Sequence, residues 1–322
     1  MADPGKLSAS KITTYKGCSF AYFLSYIQHE KVPSNVKLVF GKSIHYMLDK
    51  FYDVNFKSPE SFAGYWRHYW FSTVGGSFLR GKERERLTVS EYEFGSKKRE
   101  APGILKIGSH VNLGPEPVGV FFGYMKLGDN ILKRFYERHK NQKPPEKKES
   151  AFGNKKDELF SIAGHPVRGV FDRIDEKEGK WYITDYKTDK SCPEKDAFTL
   201  HRHPQFTIYS LAFRELFGKK ETAILYYHLR SGNIFKTHRS EQDYEYIKRL
   251  VDDVAEGIIK DIFVPFYGFH CNMCDLKPAC EKYSINHHGG PRIDCLEGKI
   301  IGAEKFTEWD NIDVFSINSD SP

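Results

Sequence analysis

The chain has 322 residues, 39% of them hydrophobic and 15% aromatic, with a formal net charge of +6. That length suits one large domain or a core domain with an insertion, and the mixed composition describes a globular protein rather than a disordered or fibrous one. No apolar run approaches the ~20 residues a bilayer span needs, and MADPGKLSAS at the start lacks a signal-peptide core, so cytoplasmic residence without a membrane partner is expected.

The modest positive charge gives only a weak preference for a polyanionic partner. In a reducing cytosol the six cysteines are expected to be ligands or buried thiols rather than disulfides.

Residues 7–27, LSASKITTYKGCSFAYFLSYI, predict a helix capped by Ser8 or Ser10, then a second aromatic-rich helix, with Cys18 at the junction. From Phe40, FGKSIHYMLDKFYDVNF spaces Ile44, Met47, Leu48 and Phe51 along one helix face. Its Gly-Lys-Ser invites a phosphate-loop reading. The position five before Gly41 is Val36, however, so the glycine-rich cradle is missing. His45, taken alone, reads as a core histidine.

Residues 58–140 carry Trp66, Tyr69, Trp70 and Phe71, followed by the basic clusters RGKERER from Arg80 and SKKRE from Ser96. Such clusters can track a nucleic-acid backbone, although both also contain Glu, as ordinary solvated faces do. HVNLGPEPVGV reads as a loop before a further helix, FFGYMKLGDNILKRFYERHK. NQKPPEKKES, from Asn141, reads as a polar linker.

GVFDRIDEKEGKWYITDYKTDK, residues 169–190, reads as two strands joined by a turn at EKEGK. Strand residues i and i+2 share a face, so Asp185 and Lys187 pair across Tyr186, and Asp172 faces them from the neighbouring strand. Two carboxylates and one ammonium at a strand end make a site for a divalent metal and a water, the minimum for cutting a phosphodiester bond. The plainer alternative is three solvated charges on an amphipathic hairpin. Asp175, three after Asp172, faces the other way and is expected to pair near Arg173 or with a basic strand partner rather than to bind metal. Asp189 is expected to lie beyond the pocket.

HPQFTIYSLAFRELFG predicts a helix opened by Pro204 and closed near Gly218, with Gln205 and Tyr209 on one face. ETAILYYHLRSG reads as a strand and EQDYEYIKRLVDDVAEGIIK as a long amphipathic helix. Near the end, Cys271-x2-Cys274-x5-Cys280 sets three thiols within ten residues, which ligation explains better than packing. A fourth ligand would come from Cys18, Cys295 or His270. Thiolates suit zinc and iron–sulfur clusters alike, but zinc would typically bring a second Cys-x-x-Cys or a His pair, which this chain lacks.

Five elements occur in order: LSASKITTYKGCSFAYFL, His45 after Gly41, GVFDRID with ITDYKT, QFTIY, and the terminal cysteines. Together they resemble the RecB-like branch of the PD-(D/E)xK nucleases, especially members with an iron–sulfur staple. Those include the AddB nuclease domain and the CRISPR-associated RecB-like exonucleases. The resemblance covers residues 7–55 and 145–282. It implies an α/β fold with a restriction-endonuclease-like core, a central mixed sheet flanked by helices. Residues 1–57 would be the N-terminal helical part, 58–140 a helical insertion, 141–282 the nuclease core and cysteines, and 283–322 a tail. The insertion makes the span from His45 to Asp172 longer than in the compact CRISPR-associated members.

The resemblance further implies that Cys18, Cys271, Cys274 and Cys280 hold one 4Fe–4S cluster as a structural staple, leaving out Cys192 and Cys295. Asp172 and Asp185, with His45 and the main-chain carbonyl of Tyr186, would bind Mg²⁺ or Mn²⁺. Lys187 would orient the attacking water or stabilise developing charge, Gln205 and Tyr209 would position Lys187 or the DNA backbone, and Glu149 would be an outer ligand. The implied activity is metal-dependent DNA cleavage at single strands or duplex ends, in repair, recombination or CRISPR adaptation. A helicase or CRISPR integration proteins would be partners, because the sequence has no complete phosphate-binding loop for a motor of its own. Two alternatives come from other classes. One is a scaffold or nucleic-acid-binding subunit of a helicase–nuclease complex that no longer cuts, and the other is a zinc-stapled RNA-processing nuclease.

Overall fold

Five extended segments build one mixed sheet, and that sheet positions the candidate site. The computed structural model describes residues 4–32, 34–74, 111–113, 116–154, 159–192, 200–288, 294–296 and 299–301. The basic clusters at 80–86 and 96–100, the residues after 301 and the side chain of Cys295 lie outside the described residues. Two compact units are present, Met1–Phe266 and Tyr267–Pro322.

In the first unit the helices are α1 (Ala9–Gly17), α2 (Val36–Asp53), α3 (Pro59–Thr73) and α4 (Pro117–His139). Strands β1 (Lys147–Phe152), β2 (Gly169–Lys177) and β3 (Lys180–Lys187) follow, then α5 (Pro204–Phe217), β4 (Glu221–His228), β5 (Asn233–Thr237) and α6 (Glu241–Ile259). The strand order is β1-β2-β3-β4-β5. Only β3 and β4 are parallel, and α5 makes the crossover that a parallel pair requires. The other neighbours are antiparallel. The fold is therefore α/β with a mixed central sheet flanked by helices, as expected.

Helix starts follow local chemistry. Ser8 caps α1, and Ser58 and Ser240 form capping boxes with Ser61 and Asp243 at α3 and α6. Pro204 opens α5, and Gly218, at φ 61°, closes it in a conformation that favours glycine. Cys18 ends α1 and precedes the short helix Ser19–Tyr22, which runs on as a π-helical turn over Phe23–Ile27.

Two expectations need correction. The stretch read as a linker contains β1 from Lys147 onward, because an edge strand carries charges on its open side. Helix α2 starts at Val36 rather than Phe40, capped by the Asn35 side chain, so the Gly-Lys-Ser lies inside a helix. Gly41 has its own reason there: a Cβ would sit 3.3 Å from Thr188 Oγ1, where α2 passes the end of β3.

Each face of the sheet buries its own core. On one, Phe171, Ile174, Ile183 and Ile224 pack with Phe206, Ile208 and Phe213 of α5 and Ile247 and Val251 of α6. On the other, Tyr186 and Tyr227 pack with Phe40, Ile44 and Met47 of α2, Trp66 and Trp70 of α3, and Phe121 and Phe135 of α4. Trp66 and Trp70 are fully buried, and their indoles donate to Met125 O (2.9 Å) and Phe121 O (3.2 Å). Each ring therefore contributes its apolar area without an unsatisfied N–H.

Trp66 reaches α4 only because residue 128 has no side chain, since a Cβ there would lie 2.2 Å from Trp66 Cε2. Gly128→Ala is expected to destabilise the protein by at least roughly 1–3 kcal/mol through overpacking. Thermal unfolding checks this, and an unchanged midpoint would show that the α3–α4 contact is looser than described.

In the second unit, a 3₁₀ turn at Phe269–Met273 leads to α7 (Lys277–His288) and the strand pair β6 (Asp294–Leu296) and β7 (Lys299–Ile301). Among the described residues no helix is long and apolar enough to cross a membrane.

Candidate active site

The end of β3 is where the chemically useful side chains meet. Asp185 and Lys187 share the face that Ile183 turns into the core, while Tyr186 points to the opposite core. Lys187 Nζ lies 2.7 Å from Asp185 Oδ2 and donates to Gln205 Oε1 at 3.1 Å. The Gln205 amide in turn donates to Asp185 Oδ1 (2.8 Å) and to the Tyr209 hydroxyl (2.7 Å). Gln205 and Tyr209, one turn apart at the start of α5, thus lock carboxylate and ammonium in one geometry.

Asp172 approaches from β2. Its Oδ2 accepts from the Tyr186 backbone N–H at 2.7 Å, and its Oδ1 lies 3.3 Å from His45 Nδ1. His45 reaches in from α2 and places Nε2 3.0 Å from Tyr186 O. Engaging one ring nitrogen with a backbone carbonyl turns the other toward the carboxylates, the arrangement usual for a metal-binding histidine. The Glu149 carboxylate, from β1, completes this side at 3.8 Å from the same Nδ1. Ligand atoms of His45, Glu149 and Asp172 all lie within 4.8 Å of one another, so the three together can hold a metal ion.

The electrostatics suit a cation. Asp185 is fully buried and is pushed up to about 6, first by burial and also by the charge of Asp172, against the pull of Lys187. Its Oδ2 accepts no well-aligned hydrogen bond, although the ammonium is near. Burial also works against the charge on Asp172, but His45 outweighs it and holds that carboxyl below its ordinary value. For His45 burial opposes protonation, yet Asp172 and Glu149 keep the ring well above 6.5. Lys187 is raised in the same way, burial being outweighed by Asp185. Two neighbouring buried carboxylates beside an imidazole form the hard-oxygen and nitrogen donor set that Mg²⁺ and Mn²⁺ accept.

A family model described as the PD-(D/E)XK nuclease superfamily matches residues 6–281. The chain belongs to that superfamily. Comparison with the curated proteins finds no match. A solved structure described as "Crystal structure of SSO0001" is similar at 20% identity and a TM-score of 0.31, over 52% of this chain and 71% of that one. Members of the PD-(D/E)XK superfamily are metal-dependent nucleases.

Some residues at the site escape sequence reasoning. Lys148, in the stretch read as linker, donates to Asp49 O (2.9 Å) and pairs with Asp49 Oδ1 (2.8 Å) and Asp53 Oδ1 (2.6 Å), tying β1 to the helix that carries His45. The half-buried positions Lys148 and Ser150 before Phe152 were the available signal, a period of two. His203, the residue before α5, has a buried Nδ1 without a hydrogen bond and is lowered to about 4, first by burial and then by Lys187. Asp175 accepts two hydrogen bonds from Arg173 on the other face, as expected, and Asp189 accepts from the Tyr226 hydroxyl at 3.3 Å. Cys192 lies 3.6 Å from Ser231 Oγ.

These shifts give the site a pH signature. For His45 and Asp185 the folded state binds the proton more tightly than the unfolded chain, so their contributions are full at low pH. Both fade as pH rises, for Asp185 between 3.8 and about 6, and for His45 above 6.5. The contribution of Asp172 has the opposite sign, present above 3.8 and lost as pH falls below it. A cation competes with the first two protons and so binds better as pH rises. The upward shift of Tm on adding Mn²⁺ is expected to be larger at pH 8 than at pH 6. Calorimetry across that range checks it, and an equal shift at both values would contradict the assignment.

Proposed function

We propose that this PD-(D/E)XK protein is a DNA nuclease of the RecB-like kind, hydrolysing phosphodiester bonds at single strands or duplex ends. The supporting observation is the convergence at the end of β3 of a buried Asp185–Lys187 pair, the Gln205 bridge, and the His45–Asp172 contact. Asp172 and Asp185, with His45 and the Tyr186 carbonyl, would hold Mg²⁺ or Mn²⁺. When bound, such an ion neutralises charge on a scissile phosphate and makes a neighbouring water more acidic. Lys187 stays an ammonium, so it holds the attacking water by hydrogen bonding and offsets charge as it develops on the phosphoryl oxygens. Gln205 keeps that ammonium on its axis, and Tyr209 fixes the amide. Because Tyr209 is raised well above its usual value, its hydroxyl orients rather than exchanges protons.

In the same reading Cys18, Cys271, Cys274 and Cys280, all half-buried thiols, carry a 4Fe–4S cluster. The spacing Cys271-x2-Cys274-x5-Cys280, three thiols within ten residues, supports it. A helicase or CRISPR integration proteins would supply unwound ends in repair, recombination or CRISPR adaptation.

The test pairs chemistry with composition. Anaerobically purified protein is expected to absorb near ~400 nm with about four irons per chain. With Mg²⁺ or Mn²⁺ it is expected to degrade single-stranded DNA or duplex ends. One zinc and no absorption would remove the cluster while leaving the active site standing. Cleavage of RNA alone would overturn the substrate, and no cleavage of any nucleic acid would overturn the nuclease reading.

A further inference from the structure

The parallel strands β3 and β4 run side by side from one end of the sheet to the other. Lys187 pairs with His228 at the end that carries the candidate active site, and Trp181 pairs with Glu221 at the opposite end, roughly 20 Å away by strand rise. At that far end Arg214, Lys220, Glu221, Thr222, His238 and Arg239 form the polar lining of a cavity of about 380 Å³. Small-molecule sites begin at about 300 Å³, so the space suits a small ligand.

Arg214 is fixed in the wall. Its Nε and Nη2 donate to Glu221 Oε2 and Oε1, both at 2.9 Å, and its guanidinium lies 4.8 Å from the centre of the Tyr244 ring. Ser210 also donates to Glu221 Oε1, at 2.6 Å, so this buried carboxylate is occupied by its own neighbours. His238 Nδ1 donates to the Thr222 carbonyl at 3.0 Å.

Arg239 is less well provided for. Its Nη1 donates to the His201 carbonyl and its Nη2 to Thr237 Oγ1 (2.8 Å), both uncharged acceptors, while its buried Nε has no hydrogen bond. Asp243 is held instead by Ser240 N (2.7 Å), Ser240 Oγ (2.9 Å) and His201 Nε2 (3.1 Å). Arg239 therefore makes no ion pair among the described residues, and neither does the exposed Lys220. A guanidinium cannot lose its proton to escape burial, so a half-buried one without a counter-ion is costly.

Set against Glu221 alone, Arg214, Lys220 and Arg239 leave the wall a surplus of two positive charges. A phosphate monoester carries roughly −1.5 to −2 at neutral pH, whereas a carboxylate or a phosphodiester carries a single charge. Fixed guanidinium forks also match phosphate oxygens in geometry. We infer that this cavity binds a phosphate dianion, either inorganic phosphate or the terminal phosphate of a mononucleotide. The site is separate from the candidate active site and does not depend on the nuclease reading.

Calorimetric titration of the full chain in a chelator, so that no divalent ion recruits phosphate elsewhere, tests this with thymidine 5′-monophosphate, inorganic phosphate, thymidine and acetate. The monophosphate and phosphate are expected to bind at one site per chain, and thymidine and acetate are not. Tighter binding of the monophosphate than of phosphate would support the site and identify the nucleotide as its ligand, and equal binding would support it with phosphate as the ligand. Lys220→Glu and Arg239→Gln are each expected to weaken binding by at least about tenfold, the scale of one lost charge-assisted hydrogen bond. Lys220 is exposed, so its variant is expected to fold, which circular dichroism checks. Lys187→Ala, at the far end of the strands, is expected to leave affinity within about twofold, as distant independent sites do.

Wild-type protein that binds neither phosphate species with a Kd below about 1 mM would overturn the inference. So would binding that Lys187→Ala abolishes and Lys220→Glu spares, because the anion would then sit at the candidate active site. Acetate bound as tightly as phosphate would overturn the choice of a dianion. Phosphate binding that depends on Lys220 and Arg239, in a protein that cleaves no nucleic acid, would sustain the inference and defeat only the nuclease reading.

Discussion

Lys187→Ala should lower phosphodiester cleavage by about 10²- to 10³-fold while leaving the protein folded, the range seen when one preorganised charge-stabilising donor is removed. The side chain is aimed by two contacts, Asp185 Oδ2 at 2.7 Å and Gln205 Oε1 at 3.1 Å, so its position does not have to be found during reaction. Truncation leaves Asp185 buried without the ammonium that pulls its pKa down, so this carboxyl moves further above about 6. The residual activity is therefore expected to peak at higher pH than wild type. Lys187→Arg should not rescue the rate, because a planar guanidinium cannot replace a compact ammonium between a carboxylate and an amide oxygen. Single-turnover cleavage across pH measures both effects. A Lys187→Ala protein that keeps more than about a tenth of the wild-type rate would remove Lys187 from the reaction.

The same strand end also shows which parts of the fold are visible in sequence. Strands β2 and β3 could be read because two runs rich in aromatic and β-branched residues flank a Glu-Gly-Lys turn. Helix α5 could be read because Pro204 opens it and Gly218 ends it. Asp185 and Lys187 then followed from a period of two. What stayed hidden depends on distant parts of the chain. Strand β1 reads as polar because it opens with Lys147, Lys148 and Glu149, and its half-buried Lys148 is explained by Asp49 and Asp53, 99 and 95 positions away. Glu149 read as an outer ligand, and no residue pattern announces its left-handed backbone, φ 43°, in a strand that lacks glycine. The short strand Asn233–Thr237 was missed for the reason that hides β1: it lies at a sheet edge and is mostly exposed.

Asp175→Asn should destabilise the protein by roughly 3–5 kcal/mol, the usual result of leaving a buried charge without its partner. Arg173 and Asp175 are both buried, and the guanidinium donates Nε and Nη2 to the two carboxylate oxygens at 2.6 and 2.7 Å. Arg173 Nη1 also donates to the Tyr52 hydroxyl, joining β2 to α2 on the face opposite the catalytic groups. The amide keeps the shape of the carboxylate but not its charge, so the loss measures electrostatic compensation rather than packing. Replacing both partners, Arg173→Met with Asp175→Leu, should recover most of the stability, because an apolar pair removes the desolvation cost of both ions. Arg173 directly follows Asp172 in β2, and Tyr186, buried on the same face as Arg173, lies between Asp185 and Lys187. Any movement of the pair is thus transmitted to both carboxylates of the site. Urea unfolding of metal-free protein measures the first effect, and Mn²⁺ affinity well below the midpoint measures the second. A single variant as stable as wild type would mean that water already compensates Arg173, and that the pair does not brace the active-site strands.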